Sequence, residues 1–161
     1  MKTVSLVVAF ISRAMYSVAG IALTAMVFLT GADVVLMYFK KPIVGTYEIV
    51  GLLGALMVGF SLPQASRIKA HVVMDFLTGR LPVGLQKFFW VVTRLLAIIL
   101  FIIIAWNLWL LGDDYRRTSE GTLTLAFPLY PVAYAIAISC FVEVIVLFLE
   151  ILEGNSKEAE K

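Results

Sequence analysis

The chain has a single histidine, His71, and a single cysteine, Cys140. One thiol forms no intramolecular disulfide, and one histidine beside one cysteine builds neither a zinc centre nor paired-histidine haem ligation. Charge is scarce as well. Only 15% of the residues are Asp, Glu, Lys or Arg and the net charge is +2, whereas a soluble domain carries about 25% charged residues. The basic residues stand singly or in pairs, which gives no stripe for nucleic acid. No Walker-type loop, GxSxG, HExxH or dinucleotide fingerprint occurs. No enzyme activity, catalytic residue, cofactor or metal ligand is therefore expected. An internal repeat with broken helices, usual in secondary transporters, is also missing.

What the chain has in abundance is apolar sequence, 61% of it. A helix needs about 20 mostly apolar residues to cross a bilayer. Four segments qualify, at about 15–39, 47–66, 88–112 and 128–151. Helices satisfy their own backbone groups in lipid, so the expected fold is an all-α membrane protein of four transmembrane helices, forming one membrane domain over 1–161. The opening "MKTVSLVVAFIS" looks like a signal peptide, but Arg13 interrupts its apolar run and a longer apolar segment follows at once. It reads instead as an amphipathic lead-in, lying at the interface or extending the first span, with Lys2, Ser5, Ser12 and Arg13 on one face. The tail at 153–161 is polar and expected to fray.

Lysine and arginine set the direction. Lys2, Arg13, Arg67, Lys69, Arg80, Lys87, Lys157 and Lys161 share one side, against Lys40, Lys41, Arg116 and Arg117 on the other. Both termini are thus expected in the cytoplasm. The middle loop "RIKAHVVMDFLTGRLP" is then cytoplasmic too. Over about 71–79 it fits a short interfacial helix, with His71, Asp75 and Thr78 on its wet face and Val72, Val73, Phe76 and Leu77 towards lipid. Gly79 can stop this helix and Pro82 can open the next. His71 and Asp75, one turn apart, read as a surface pair fixing the loop or docking a neighbour, ahead of a proton relay or ligand site.

Charges inside spans are expensive and draw attention to themselves. Arg94 and Glu143 lie at similar depths from the cytoplasmic ends of the third and fourth spans, and are expected to face each other or polar groups of a partner, with snorkelling to the interface the alternative for Arg94. Asp33 and Asn107 lie at similar depths on the other side, where Asp33 is expected to bond Asn107 or an outer arginine. One carboxylate is a poor cation cage, so structural bonding is the expectation. In the second span Gly51, Ala55 and Gly59 recur every four residues, the pattern of a close helix–helix contact.

The stretch "GADVVLMYFKKPIVGTYEIVGLLGALMVGFSLPQASRIKAHVVMDFLTGRLP" resembles the small membrane subunit of tripartite ATP-independent periplasmic (TRAP) transporters, the DctQ-like family. Its recognisable pieces are "DVVLMYF", "KPIVGTYEIV", "AHVVMD" and "GRLP", with weaker likeness in "WNLWLLG" and "TLTLAFP". Met37 departs from the arginine that many members carry before the aromatic residue. The resemblance implies a non-catalytic subunit in the bacterial inner membrane, forming a heterodimer with a large permease subunit. It implies sodium symport of an organic acid, such as a C4-dicarboxylate or sialic acid, delivered by a periplasmic binding protein. Lys40, Lys41, Arg116 and Arg117 are then candidates to dock that protein, since complementary charge speeds encounter and fixes register. The alternatives are a membrane anchor for another multi-subunit complex and a stand-alone small exporter. The first wants paired histidines, and the second wants a deep carboxylate in the first span, where Asp33 is shallow.

Overall fold

The computed structural model describes residues 2–68 and 83–158. Four helices account for nearly all of them: α1 (Lys2–Tyr38), α2 (Thr46–Arg67), α3 (Val83–Thr118) and α4 (Tyr130–Glu158). Each contains a stretch long and apolar enough to cross a membrane: Ser5–Tyr38, Thr46–Arg67, Val91–Thr118 and Tyr130–Ile151. The protein is an all-α membrane protein. The interfacial helix expected over 71–79, with its His71–Asp75 pair, lies outside the described residues.

Three boundaries differ from the sequence reading. The amphipathic lead-in is continuous with the first span, because no Pro or Gly precedes Gly20 to break a run of helix formers. α3 runs on to Thr118, so Arg116 and Arg117 occupy its last turn rather than a loop. There they oppose the partial negative charge of the helix C-terminus. α4 remains helical to Glu158, where a frayed tail was expected from residue 153.

Both hairpins begin with the same helix stop. At the end of α1, Lys40 N–H bonds Met37 C=O and Lys41 N–H bonds Leu36 C=O, each at 3.0 Å. Lys40 takes the left-handed conformation, φ 56°. At the end of α3, Glu120 N–H bonds Tyr115 C=O at 3.1 Å and Ser119 takes φ 54°. This is the Schellman arrangement, with Lys and Ser in the place usually held by Gly.

The helices do not close into a square bundle. α1 packs on α2, α2 on α4 and α4 on α3, with a lighter contact between α1 and α4. The spatial order is therefore α1–α2–α4–α3. Small side chains dominate the contacts: Ala19, Ala22, Ala105, Ala133 and Ala137 are all buried. This is how helices approach closely where lipid tails are as apolar as leucine. Large side chains such as Phe10, Phe28, Leu96 and Trp106 point outward, as a lipid-facing surface allows.

Candidate functional site

The polar side chains form two sets, one along the inner contacts and one at the hairpin end. The inner set begins with Pro63 of α2, which is buried and lacks an N–H. The carbonyl four residues earlier, Gly59, loses its helical donor as a result. Ser139 of α4 supplies a replacement, its hydroxyl donating to the Gly59 carbonyl at 2.5 Å. Gly59 permits that approach, since a Cβ there would stand 3.1 Å from Ile136 Cγ2. One turn further along α4, Glu143 is fully buried and accepts a hydrogen bond from the Ser66 hydroxyl of α2. Two turns beyond Glu143, Glu150 Oε2 meets Arg94 Nη2 of α3 at 2.8 Å, with side-chain exposures of 16% and 21%. At the end of α2 the Arg67 guanidinium donates to Ala9 C=O of α1 at 3.3 Å. A ladder of polar contacts thus joins all four helices.

Several expected pairings need correction. Arg94 was expected to pair with Glu143, but its ion pair is with Glu150, while Glu143 turns to α2. The two glutamates are seven residues apart and share one face of α4, so periodicity alone could not choose between them. The choice depends on how far α3 slides along α4. Asp33 does not meet Asn107. It accepts the Ile43 N–H at 2.8 Å, fastening the 39–45 loop, and Asn107 donates to Ile103 C=O of its own helix at 2.8 Å. α1 and α3 stand at opposite ends of the packing order, which keeps the two side chains apart. Of the small-residue row, Gly59 makes the close contact. Gly51 is exposed and a Cβ there would meet nothing within 4 Å, and Ala55 is half-buried.

At the hairpin end the carboxylates of Asp33 and Glu48 take backbone N–H groups. Glu48, in the first turn of α2, accepts the Thr124 N–H at 2.7 Å on one oxygen and the Leu125 N–H at 3.0 Å on the other. This clamps the second hairpin onto the first. The clamped loop is itself folded: Thr122 N–H bonds Phe127 C=O at 2.9 Å, and Phe127 N–H bonds Thr122 Oγ1 at 3.1 Å. Gly45 completes the contact. It sits at φ 82°, and a Cβ on it would fall 2.6 Å from Leu125 Cγ. Sequence reasoning missed both the Glu48 clamp and the Gly59 carbonyl. The second carried a readable signal, a proline four residues after a glycine; the first carried none, because its partners lie 76 and 77 residues away.

The basic residues at this end are exposed but not gathered. Lys40 and Lys41 cap α1, and Arg116 and Arg117 end α3, on the two outermost helices of the packing order. Arg117 pairs with Asp113 at 3.0 Å. Among the described residues, no cluster of three His, Cys, Asp or Glu is placed to hold a metal ion. A groove of about 440 Å³ between α1 and α2, lined by Met26, Val27, Thr30, Gly31, Val34 and Val50, is apolar and offers no charged partner to a solute.

Fold and polar ladder together define a class: a multi-span helical membrane protein whose polar side chains hold its own helices in register. A family model described as "Tripartite ATP-independent periplasmic transporters, DctQ component" matches residues 26–156. The chain belongs to that family, as its resemblance in "DVVLMYF" through "GRLP" indicated. It is a component of a TRAP transporter and a multi-pass protein of the inner membrane; the family is one of transporter components and not of enzymes. No curated protein and no solved structure matches the chain.

Proposed function

We propose that the chain is the scaffolding small subunit of its transporter. It pairs with the large permease subunit and holds it in the bilayer during sodium-driven, binding-protein-dependent uptake of an organic acid, a carboxylate or a sialic-acid-like compound. The observation that supports this reading is where the polar groups go. Ser66, Glu143, Arg94, Glu150, Ser139, Asp33 and Glu48 are each engaged within the chain, as befits a frame rather than a solute path. The whole of 1–161 acts as one membrane domain in this account. Both termini lie in the cytoplasm, following the lysine and arginine bias. The hairpin end then faces the periplasm, where Lys40, Lys41, Arg116 and Arg117 meet the binding protein at two separated points. His71 and Asp75 fix the cytoplasmic loop.

Reconstitution tests this directly. Vesicles carrying this chain and the large subunit, with binding protein outside and an inward sodium gradient, take up substrate. Vesicles carrying either subunit alone do not. Uptake or export by this chain alone ends the scaffold reading in favour of the small exporter. Recovery of the native chain with a respiratory complex instead of a permease favours the anchor reading.

A further inference from the structure

The outward faces of α1 and α3 repeat with the same spacing but differ in chemistry. On α3 the outward row is Leu96, Ile99, Ile103, Trp106 and Leu110, each between 48% and 63% exposed. It is bulky and wholly apolar, as lipid requires. On α1 the outward row is Leu6, Phe10, Arg13, Ser17, Gly20 and Thr24, all exposed. It contains a cation, then small residues. Ser17 and Thr24 turn their hydroxyls back to the carbonyls of Arg13 and Gly20, at 3.1 and 2.9 Å, and a Cβ on Gly20 would meet nothing within 4 Å. The row is therefore slimmer at Ser17, Gly20 and Thr24 than the row on α3, with Tyr16 and Ile21 exposed beside it.

Arg13 decides what covers that face. Among the described residues its guanidinium has no hydrogen-bond or ion-pair partner. It lies twenty residues before Asp33, about 30 Å along the helix, which is the thickness of the hydrocarbon core. If lipid ends at Arg13, then Phe10 and Leu6, 75% and 69% exposed, project past the hydrocarbon core. If lipid extends to Leu6, then Arg13 stands in hydrocarbon with no counter-charge among the described residues, at high cost. A protein surface that carries a carboxylate level with Arg13 and apolar groups on either side satisfies both. A second copy of this chain does not fit. In a two-fold pair of like-oriented subunits, the same residue recurs at the same depth on both sides, and Arg13 would oppose Arg13.

We propose that the outward face of the first half of α1 is the docking surface for a transmembrane helix of the large membrane subunit, and that this helix presents a carboxylate to Arg13. The proposal rests on the subunit pairing argued above and adds its surface and its chemistry. The test uses the complete transporter in bacterial membranes, with a photo-crosslinking residue placed singly at Ser17, Thr24, Ile99 or Ile103. The Ser17 and Thr24 positions crosslink to the large subunit, and the Ile99 and Ile103 positions do not. Arg13→Glu lowers the large subunit recovered with the chain about tenfold or more, whereas Arg13→Lys keeps most of it. Crosslinks from Ser17 and Thr24 to lipid alone, to a second copy of this chain, or from Ile99 and Ile103 to the large subunit instead, overturn the assignment. The unsubstituted chain separates the two failures. If it does not co-purify with the large subunit, the pairing itself is wrong; if it does and the α1 probes stay silent, only the surface is wrong.

Discussion

Glu48 and Glu143 are the same residue put to opposite uses. Glu48 stands at the start of α2 and takes two backbone N–H groups from a loop. Glu143 stands inside α4, fully buried, and takes a side-chain hydroxyl from another helix. The contrast extends to their neighbours. At the hairpin end Asp33 also accepts a backbone N–H, from Ile43, while along the inner contacts Arg94 meets the carboxylate of Glu150. The reason is the supply of unpaired groups. Loops and first turns leave N–H donors free, so a carboxylate near a helix end finds partners without burying a second charge. Inside a helix those donors are already used, and a buried carboxylate must find a side chain on a neighbouring helix. Gly59 shows the exception that Pro63 creates, a mid-helix carbonyl released for Ser139.

This comparison breaks most easily at the inner ladder. Arg94→Ala removes the cation that the largely buried Glu150 meets and is expected to cost about 3 kcal/mol, read as a lower melting temperature of the purified chain in mild detergent. Adding Glu150→Leu should restore much of the loss, because the carboxylate that lost its cation goes with it. A double variant no more stable than Arg94→Ala would show that packing, not charge, holds α3 to α4. Next in size is Gly59→Val, which drives a branched side chain into Ile136 and separates α2 from α4, at about 2 kcal/mol. Gly51→Val, on open surface, should leave stability nearly unchanged, and equal effects at the two positions would refute the packing order. At the hairpin end, Gly45→Ala meets both the positive φ and the Leu125 side chain, and about 1 kcal/mol or more is expected.

Two smaller effects sharpen the contrast. Glu48→Gln keeps one acceptor where there were two, so the amides of Thr124 and Leu125 should exchange with deuterium faster while the inner helices stay as protected as before. Loss of protection throughout α4 would mean the clamp organises the whole molecule and not only its hairpins. Arg117→Ala removes an exposed pair with Asp113 and should change stability by about 0.3 kcal/mol at most. Its effect belongs in uptake at limiting binding protein.

Much of this was legible in the residues. Four apolar runs, the scarcity of charge and the pieces from "DVVLMYF" to "GRLP" were enough for the helical membrane fold and the family. Hydrophobic length is a property of each segment by itself, and lipid enforces helix on any segment that crosses it. Asp33, Glu143 and Arg94 could be singled out for the same reason, since cost in hydrocarbon depends on residue type and position along the chain.

Their partners could not be read in the same way. A helical pattern gives the face of a side chain, but neither which helix lies opposite nor how far that helix is shifted along its axis. Glu143 and Glu150 share a face, and only the height of α3 gave Arg94 to the second. Asp33 and Asn107 share a depth, and only the order α1–α2–α4–α3 kept them apart. The sequence by itself determined that four helices cross the bilayer and which side chains need a partner there. Tertiary structure decided who the partners are, because lateral order and axial register come from contacts between segments distant in the chain, to which no single stretch has access.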